Sequence, residues 1–296
     1  MPPTGFHRSV ASVLQPIDPL RREGDLPSIT VAIPFVEKDL ETLPLVVQSV
    51  FANVRNPIQE LLLITPGKGN GTKPKLETAE HRGTLAKILS RFPACQLVFD
   101  GDVLGNLLSR VLNDQEFHRD GYAIQTIIKF KAALLAKTSA TLVVDADTVL
   151  LEPKTWITKN GVQLLHFSEE YHQPYRDLIS SYFGFEPVFP GSFVTHHQLL
   201  QKDIVRKVFG SDLEIKEWYL LAKSSSRLKT SEYETYGQFV VKFFRGRYRF
   251  GNWSNLWSPF RHRFSSIAEA ENGRNLSVAL GGYNSVSFHA HGQLDL

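Results

Sequence analysis

Cysteine is almost missing from this 296-residue chain, with Cys95 standing alone. Neither an intramolecular disulfide nor a multi-thiolate zinc site is available to it. Charge of one dominant sign is missing too, since 33 Lys and Arg face 30 Asp and Glu for a formal net charge of +3. That excess suits an anionic substrate and is too small to mark a nucleic-acid binder. Long apolar runs are absent: Leu61 to Ile64 and Thr141 to Val144 fall far short of the roughly 18 residues of a membrane span. Met1 to Pro27 is broken by Pro2, Pro3, Pro16, Pro19 and Pro27 and offers no continuous apolar stretch for an export signal. There is no Gly-x-x-x-x-Gly-Lys-Ser/Thr loop, no Gly-x-Gly-x-x-Gly fingerprint and no Gly-x-Ser-x-Gly elbow, which removes support for P-loop enzymes, the usual Rossmann dehydrogenases and α/β-hydrolases. Internal repeats and low-complexity segments are likewise missing. The expectation is a soluble, cytoplasmic protein with no transmembrane segment, with peripheral membrane association left open.

What is present is a globular composition, 42% hydrophobic and 21% charged. Residues 1–27 read as an N-terminal tail and 28–296 as one large domain. Ser28 to Pro34 is a β-branched run stopped by proline, as a buried strand followed by a functional loop would be. Leu43, Val46, Val47 and Val50 follow helical spacing. Strands are expected at Glu60 to Thr65, Cys95 to Phe99 and Ala140 to Val144. Helices are expected at Thr84 to Arg91, Leu104 to Leu112 and Tyr122 to Lys137. This alternation predicts an α/β fold with a mainly parallel sheet flanked by helices. The C-terminal half reads as mixed: strands in Trp156 to Phe167, a helix from Pro174 to Phe183, a strand from Gly191 to His196 entering a helix from Leu199 to Val208, a helix from about Glu232 to Phe244, then short aromatic strands.

The sharpest chemical feature is Asp145-Ala146-Asp147, directly after the apolar run Ala140 to Val144. In an extended chain residues i and i+2 point the same way, so both carboxylates face one site, and paired carboxylates attract Mg²⁺ or Mn²⁺. Asp100-Gly101-Asp102 also follows an apolar strand, and spacing alone does not separate the two; Gly101 and Gly105 suit a turn there. Gln125 and Lys129 lie four residues apart on one helix face, with Ile124, Ile127, Ile128 and Leu135 as its buried stripe. Lysine there can offset phosphate charge and glutamine can bond a base or ribose, although a solvated amphipathic face explains both equally well. His289 and His291 alternate on a terminal strand, where a neutral imidazole can complete a carboxylate-bound metal or simply face solvent. Ser231 and Glu234 fit a capping box, which gives Glu234 a structural role, although it stays a catalytic candidate beside Glu232. Glu232 is left as a candidate general base or as a charge favoured at a helix start. Tyr248, Phe250, Trp253, Trp257 and Phe260 can stack on a sugar, with His196 among the polar residues of the 191–197 segment beside them, or can pack the core. The basic stretch Arg245 to Arg249 reads as a solvated turn, and the Asn-x-Ser/Thr triplets at Asn70, Asn252 and Asn275 read as chance.

Taken in order, the Ile29 to Lys38 opening, the Tyr122 to Lys129 helix leading to Val143-Val144-Asp145-Ala146-Asp147, the Ser231 to Gly237 block and the closing Phe288-His289-Ala290-His291 resemble GT-A type glycosyltransferases. More narrowly they are similar to a GT-A-like group from bacteria, algae and algal viruses. That resemblance implies a hexosyl- or deoxyhexosyltransferase that moves a sugar from a nucleotide-diphosphate donor to a hydroxyl acceptor, such as a surface polysaccharide, glycolipid or glycan. It implies Pro34 and Glu37 beside the nucleotide, Asp145 at the ribose or metal, Asp147 with a C-terminal histidine on Mn²⁺ or Mg²⁺, and Glu232 as the active-site carboxylate. A metal-dependent nucleotide-sugar hydrolase or phosphodiesterase, and an idle glycan-binding domain, remain the alternatives.

Overall fold

The computed structural model describes residues 26–67, 79–107, 121–257 and 282–288. The proposed tail is therefore outside the described residues up to residue 25. In chain order come β1 (Ile29–Pro34), α1 (Leu43–Asn53), β2 (Ile58–Thr65), α2 (Ala79–Arg91), β3 (Cys95–Phe99), α3 (Asp100–Leu104), α4 (Gly121–Leu135), β4 (Ala140–Val144), β5 (Thr148–Leu150) and β6 (Gln163–Phe167). They are followed by α5 (Gln173–Phe183), β7 (His197–Gln201), α6 (Lys202–Val208), α7 (Asp212–Lys223), α8 (Glu232–Phe243), β8 (Tyr248–Asn252), β9 (Asn255–Trp257) and β10 (Ser285–Ser287).

Five strands form the central sheet in the order β3-β2-β1-β4-β7. The first four run parallel and β7 antiparallel to β4, which is the mainly parallel, helix-flanked α/β fold expected. All six residues of β1 are buried, because both faces of the sheet are covered and no face has to be polar. Alternate residues serve two cores. Val31, Ile33, Leu142 and Val144 pack with α1 and with Trp156 and Trp253, whereas Ala32, Val143 and Leu200 pack with α4, α6 and α8. On α4 the stripe is Ile127, Ile128, Phe130 and Ala133, each side chain of the larger three worth about 1.5–3 kcal/mol of burial. Leu135, expected in that stripe, is 55% exposed, at the end of the helix, while Ala132, Ala133 and Ala136 beside it are buried.

Other expectations are corrected by pairing that local sequence does not encode. Leu199 to Gln201 is strand and not helix, since Leu199 and Leu200 pair with Leu142 and Thr141 of β4, and the helix starts only at Lys202. The region around Asp100 is helical where a turn was expected, and Gly105, at φ 51°, stops it. Its Asp100 carboxylate accepts the amides of Gly67 and Gly101 at 2.8 and 2.7 Å, so it fastens a loop. Ser231 caps α8 by accepting the Glu234 amide at 3.2 Å. Gly237 in the same helix has no alternative: a Cβ there would stand 2.2 Å from the Phe193 ring.

The sheet has one point of particular geometry. From β1 the chain order runs outward through β2 and β3 on one side and through β4 on the other, and open α/β sheets form their ligand crevice at such a switch point, beyond the carboxyl ends of the strands. Ala32 pairs with Val143, so Pro34 and Asp145 come level at that end.

Candidate functional site

Asp145 leaves β4 at the switch point with its amide held by the His196 carbonyl at 2.9 Å. The chain turns at once, closed by the Thr148 amide on the Asp145 carbonyl at 3.0 Å. The extended alternation expected for the two carboxylates therefore does not hold through Ala146, which is buried.

Around Asp145 three segments converge. From α4, Lys129 donates to Asp145 Oδ1 at 2.6 Å and also to Glu232 Oε1. From α8, the Tyr233 hydroxyl donates to the same Oδ1 at 2.7 Å, accepts from Lys129 at 3.1 Å, and lays its ring 4.4 Å from the ammonium. From the segment before β7, His196 Nδ1 lies 3.2 Å from Asp145 Oδ2, while its Nε2 lies 3.1 Å from Glu170 Oε2. Lys129 and Glu232 are almost fully buried, whereas the Asp145 side chain keeps 17% exposure and so reaches the surface of the cluster.

Electrostatics follow from this packing. Burial alone would raise Asp145, but the Lys129 charge and the His196 hydrogen bond outweigh it and hold the carboxyl well below its usual range. Burial likewise opposes the charged form of Lys129, and Asp145 with Glu232 overcomes it, keeping the ammonium protonated. His196, disfavoured by burial and favoured more by Asp145 and Glu170, is pushed up to about 10 and is an imidazolium at neutral pH. Tyr233 is raised by burial and then by the Asp145 and Glu232 charges, so its hydroxyl stays a donor.

The expected site residues divide clearly. Lys129, Asp145, Glu232 and His196 are brought together, and Gln125 is half-buried one turn before Lys129. Pro34 is buried at the end of β1, level with Asp145, and Glu37, which opens the short 3₁₀ helix Glu37–Asp39, pairs with His81 at 2.9 Å. Glu234 is elsewhere: its carboxylate takes Arg176 at 3.0 Å, Gln238 at 2.9 Å and the Phe193 amide at 2.8 Å. It does not reach back to the cap as a capping box requires, and burial raises it despite those three partners. Trp253 is corrected as an acceptor contact. Its indole is 3% exposed, donates to Ser285 Oγ at 2.7 Å and packs on His166 and His197 at 4.3 and 4.1 Å, leaving no face for a sugar. Phe250 is similarly turned inward against Phe189 at 4.7 Å. His196 stands on Asp145, whereas acceptor contact was expected of it.

Among the described residues Asp145 and Asp147 do not by themselves complete a metal site. Both Asp145 oxygens are occupied by Lys129, Tyr233 and His196, and among the described residues no three His, Cys, Asp or Glu side chains group to hold a metal ion. The Phe288 amide donates to the Asp147 carbonyl at 3.0 Å, which seats β10 against this loop. His289, His291 and the Trp257 side chain lie outside the described residues.

Sequence reading missed Tyr233, Glu170 and Tyr122 as members of this region. Tyr233 had a visible signal, being next to Glu232 at the start of α8, and Tyr122 is two helical turns from Lys129 on the same face. Glu170 had none, because its tie to His196 crosses between segments. Among the described residues no helix is long and apolar enough to cross a membrane.

No family model matches the chain, and no curated protein matches it. Among solved structures, the galactosyltransferase LgtC with donor and acceptor sugar analogs is similar at 13% identity, with 88% of this chain and 87% of that one covered and a TM-score of 0.48. Mouse xyloside xylosyltransferase 1 in its apo form is similar at 11% identity over 89% and 98% of the two chains, with a TM-score of 0.45. Glucosyl-3-phosphoglycerate synthase from Mycobacterium tuberculosis, solved with Mn²⁺, UDP and phosphoglyceric acid, shares 14% identity over 60% and 57%, with a TM-score of 0.35. These three proteins that the backbone resembles are glycosyltransferases, and at such identities the likeness concerns the fold alone.

Proposed function

We propose that the protein is a nucleotide-sugar glycosyltransferase that moves a sugar from a nucleoside-diphosphate donor to a hydroxyl of a saccharide acceptor. One observation carries the reading: a partly exposed carboxylate, Asp145, fixed in one orientation by Lys129, Tyr233 and His196 at the switch point of a parallel sheet. A carboxylate held so can accept ribose hydroxyls, at the crevice where open α/β sheets bind their ligands. Gln125 on the same face of α4 is offered to the base, and Pro34 and Glu37 border the nucleotide. The order of sequence motifs, which resembles GT-A glycosyltransferases, supports the same assignment.

In transfer, the bond from the anomeric carbon to the diphosphate oxygen breaks and the nucleoside diphosphate leaves with the electron pair. The acceptor oxygen bonds to that carbon and gives up its proton. Glu232 is the carboxylate assigned to receive it at Oε2, with Oε1 held by Lys129. Fixing both partners in this geometry supplies rate through lost translational freedom, and the preset Lys129 charge adds to it without reorganisation.

The test is a panel of UDP-, GDP- and dTDP-sugars with and without glycoside acceptors, each run with Mn²⁺, Mg²⁺ or a chelator and scored for nucleotide release. Release that rises with acceptor and is lost in Asp145→Asn is expected. The three cation arms decide the Mn²⁺ or Mg²⁺ requirement, for which Asp147 is the proposed residue. Acceptor-independent release makes the protein a nucleotide-sugar hydrolase. Absence of both turnover and nucleotide binding overturns the assignment.

A further inference from the structure

With Trp253 buried, the aromatic surface beside the cluster is made of tyrosines that the sequence did not single out. Tyr122 is 48% exposed and Tyr171 52% exposed. Tyr122 turns its hydroxyl inward, onto the Thr230 carbonyl at 2.7 Å and the Tyr175 hydroxyl at 3.3 Å, and so ties α4 to α5 and to the residue preceding the α8 cap. Tyr175 packs edge-on against His172 at 4.5 Å, and Tyr171 carries the Arg176 guanidinium 5.2 Å from its ring. Glu170, whose side chain is 54% exposed, closes the strip by reaching His196 and, through it, Asp145. Burial raises Tyr175, the hydrogen bond with Tyr122 opposes the rise, and the charges of Glu232 and Glu170 add to it.

We propose that Tyr122, Tyr171 and Tyr175, with Glu170 at their edge, form the acceptor subsite and take a neutral pyranoside. The inference rests on the glycosyltransferase reading above and adds to it where the acceptor lies and what charge it carries. The chemistry is that of saccharide recognition: the C–H face of a pyranose covers an exposed aromatic ring, and a carboxylate accepts neighbouring hydroxyls. Glu170 selects against an acidic sugar, because a uronate brought beside it meets like charge. Glu170 is also a positioning residue for His196.

The experiment uses the full chain and saturation-transfer NMR with the methyl glycosides of glucose, galactose, mannose and xylose and with methyl glucuronide, in parallel with calorimetric binding of UDP and GDP. Tyr171→Ala is the first variant, because its ring is exposed and its hydroxyl meets Gln173 of the same short segment. Tyr122→Ala is the second. We expect transfer to at least one neutral glycoside, about tenfold weaker binding of it in each variant, and nucleotide affinity changed by less than about twofold in Tyr171→Ala. Circular dichroism and melting of Tyr171→Ala report whether the fold is kept. Transfer that is absent, equal in wild type and both variants, or strongest for the glucuronide overturns the subsite. Glycoside binding that depends on these tyrosines in a chain that binds no nucleotide keeps the saccharide surface and removes the transferase reading instead.

Discussion

Replacing Lys129 with methionine tests the cluster most directly, because the side chain keeps most of its volume and loses the charge that two buried carboxylates share. Asp145 retains the Tyr233 hydroxyl at 2.7 Å and His196 at 3.2 Å, so it stays ionised. Glu232, with a side chain 3% exposed, loses its cation. Removing one partner of a buried pair costs about 3–5 kcal/mol, and protonation sets a ceiling on that cost. A carboxyl group with an unfolded-state value near 4.3 takes a proton at pH 7 for about 3.7 kcal/mol and at pH 5 for about 1 kcal/mol. The folded variant then binds one proton more than the unfolded chain, so its stability falls as pH rises from about 5 to 7. Urea unfolding followed by tryptophan fluorescence at the two pH values reads this, with four tryptophans available. Lys129→Met should lose about 4 kcal/mol at pH 7 and markedly less at pH 5, and adding Glu232→Gln should restore most of the loss and flatten its pH dependence. A deficit equal at both pH values, or smaller than about 1 kcal/mol at pH 7, would refute a lysine bridging two buried acids.

Gly237→Ala should destabilise although alanine is the better helix former by about 1 kcal/mol. The added methyl meets Phe193 Cγ at 2.2 Å and Cδ2 at 2.3 Å, and overpacking of this kind costs about 1–3 kcal/mol. A melting temperature at or above wild type contradicts that contact, and partial rescue by Phe193→Leu supports it. The His166 and His197 rings, joined Nδ1 to Nε2 at 3.0 Å, set an acid limit. Burial holds His166 well below its ordinary value and His197 down at about 3. Their contribution is therefore complete above about pH 6.5 and is lost as pH falls toward their folded values, by about 1.4 kcal/mol per pH unit for each ring. A His166→Phe/His197→Leu variant should lose less stability than wild type between pH 6.5 and 5 in urea titrations; equal slopes would show that the rings do not stay neutral.

The strands β3 and β4 were legible to the residue, because each is a short apolar run with Gly, Pro or acidic residues at its ends. The placing of Asp145 at a strand's carboxyl end was legible for the same reason. The strand β7 was not. Leu199 and Leu200 continue into the helical Lys202 to Val208, and only the partner strand β4 tells the two states apart. Helix α7 did carry a local mark, Ser211 accepting the Glu214 amide at 3.3 Å, a cap that the spacing Ser-x-x-Glu announces. The choice between Glu232 and Glu234 was open in the sequence because both start the same helix. Two residues apart on a helix means about 200° of rotation, so the two carboxylates leave in different directions. The cations that each carboxylate meets, Lys129 for Glu232 and Arg176 for Glu234, come from other helices.

His196 shows what local sequence could not convey and why the site bears it. Its φ is 62°, and among the described residues it is the non-glycine residue recorded with positive φ. The left-handed region costs an L-residue roughly 1–2 kcal/mol, and glycine or asparagine would meet that backbone demand more cheaply. Neither could span from Asp145 to Glu170, a path that runs Oδ2 to Nδ1 at 3.2 Å and Nε2 to Oε2 at 3.1 Å through one rigid ring. Backbone strain that persists at such a point has to be over-determined by its surroundings. Here the surroundings are the His196 carbonyl accepting the Asp145 amide and the imidazolium held between two carboxylates. The same strained residue thus fixes the backbone and the side chain of Asp145 and joins them to the exposed tyrosine edge, so the carboxylate at the sheet and the surface proposed for the acceptor are set by one ring.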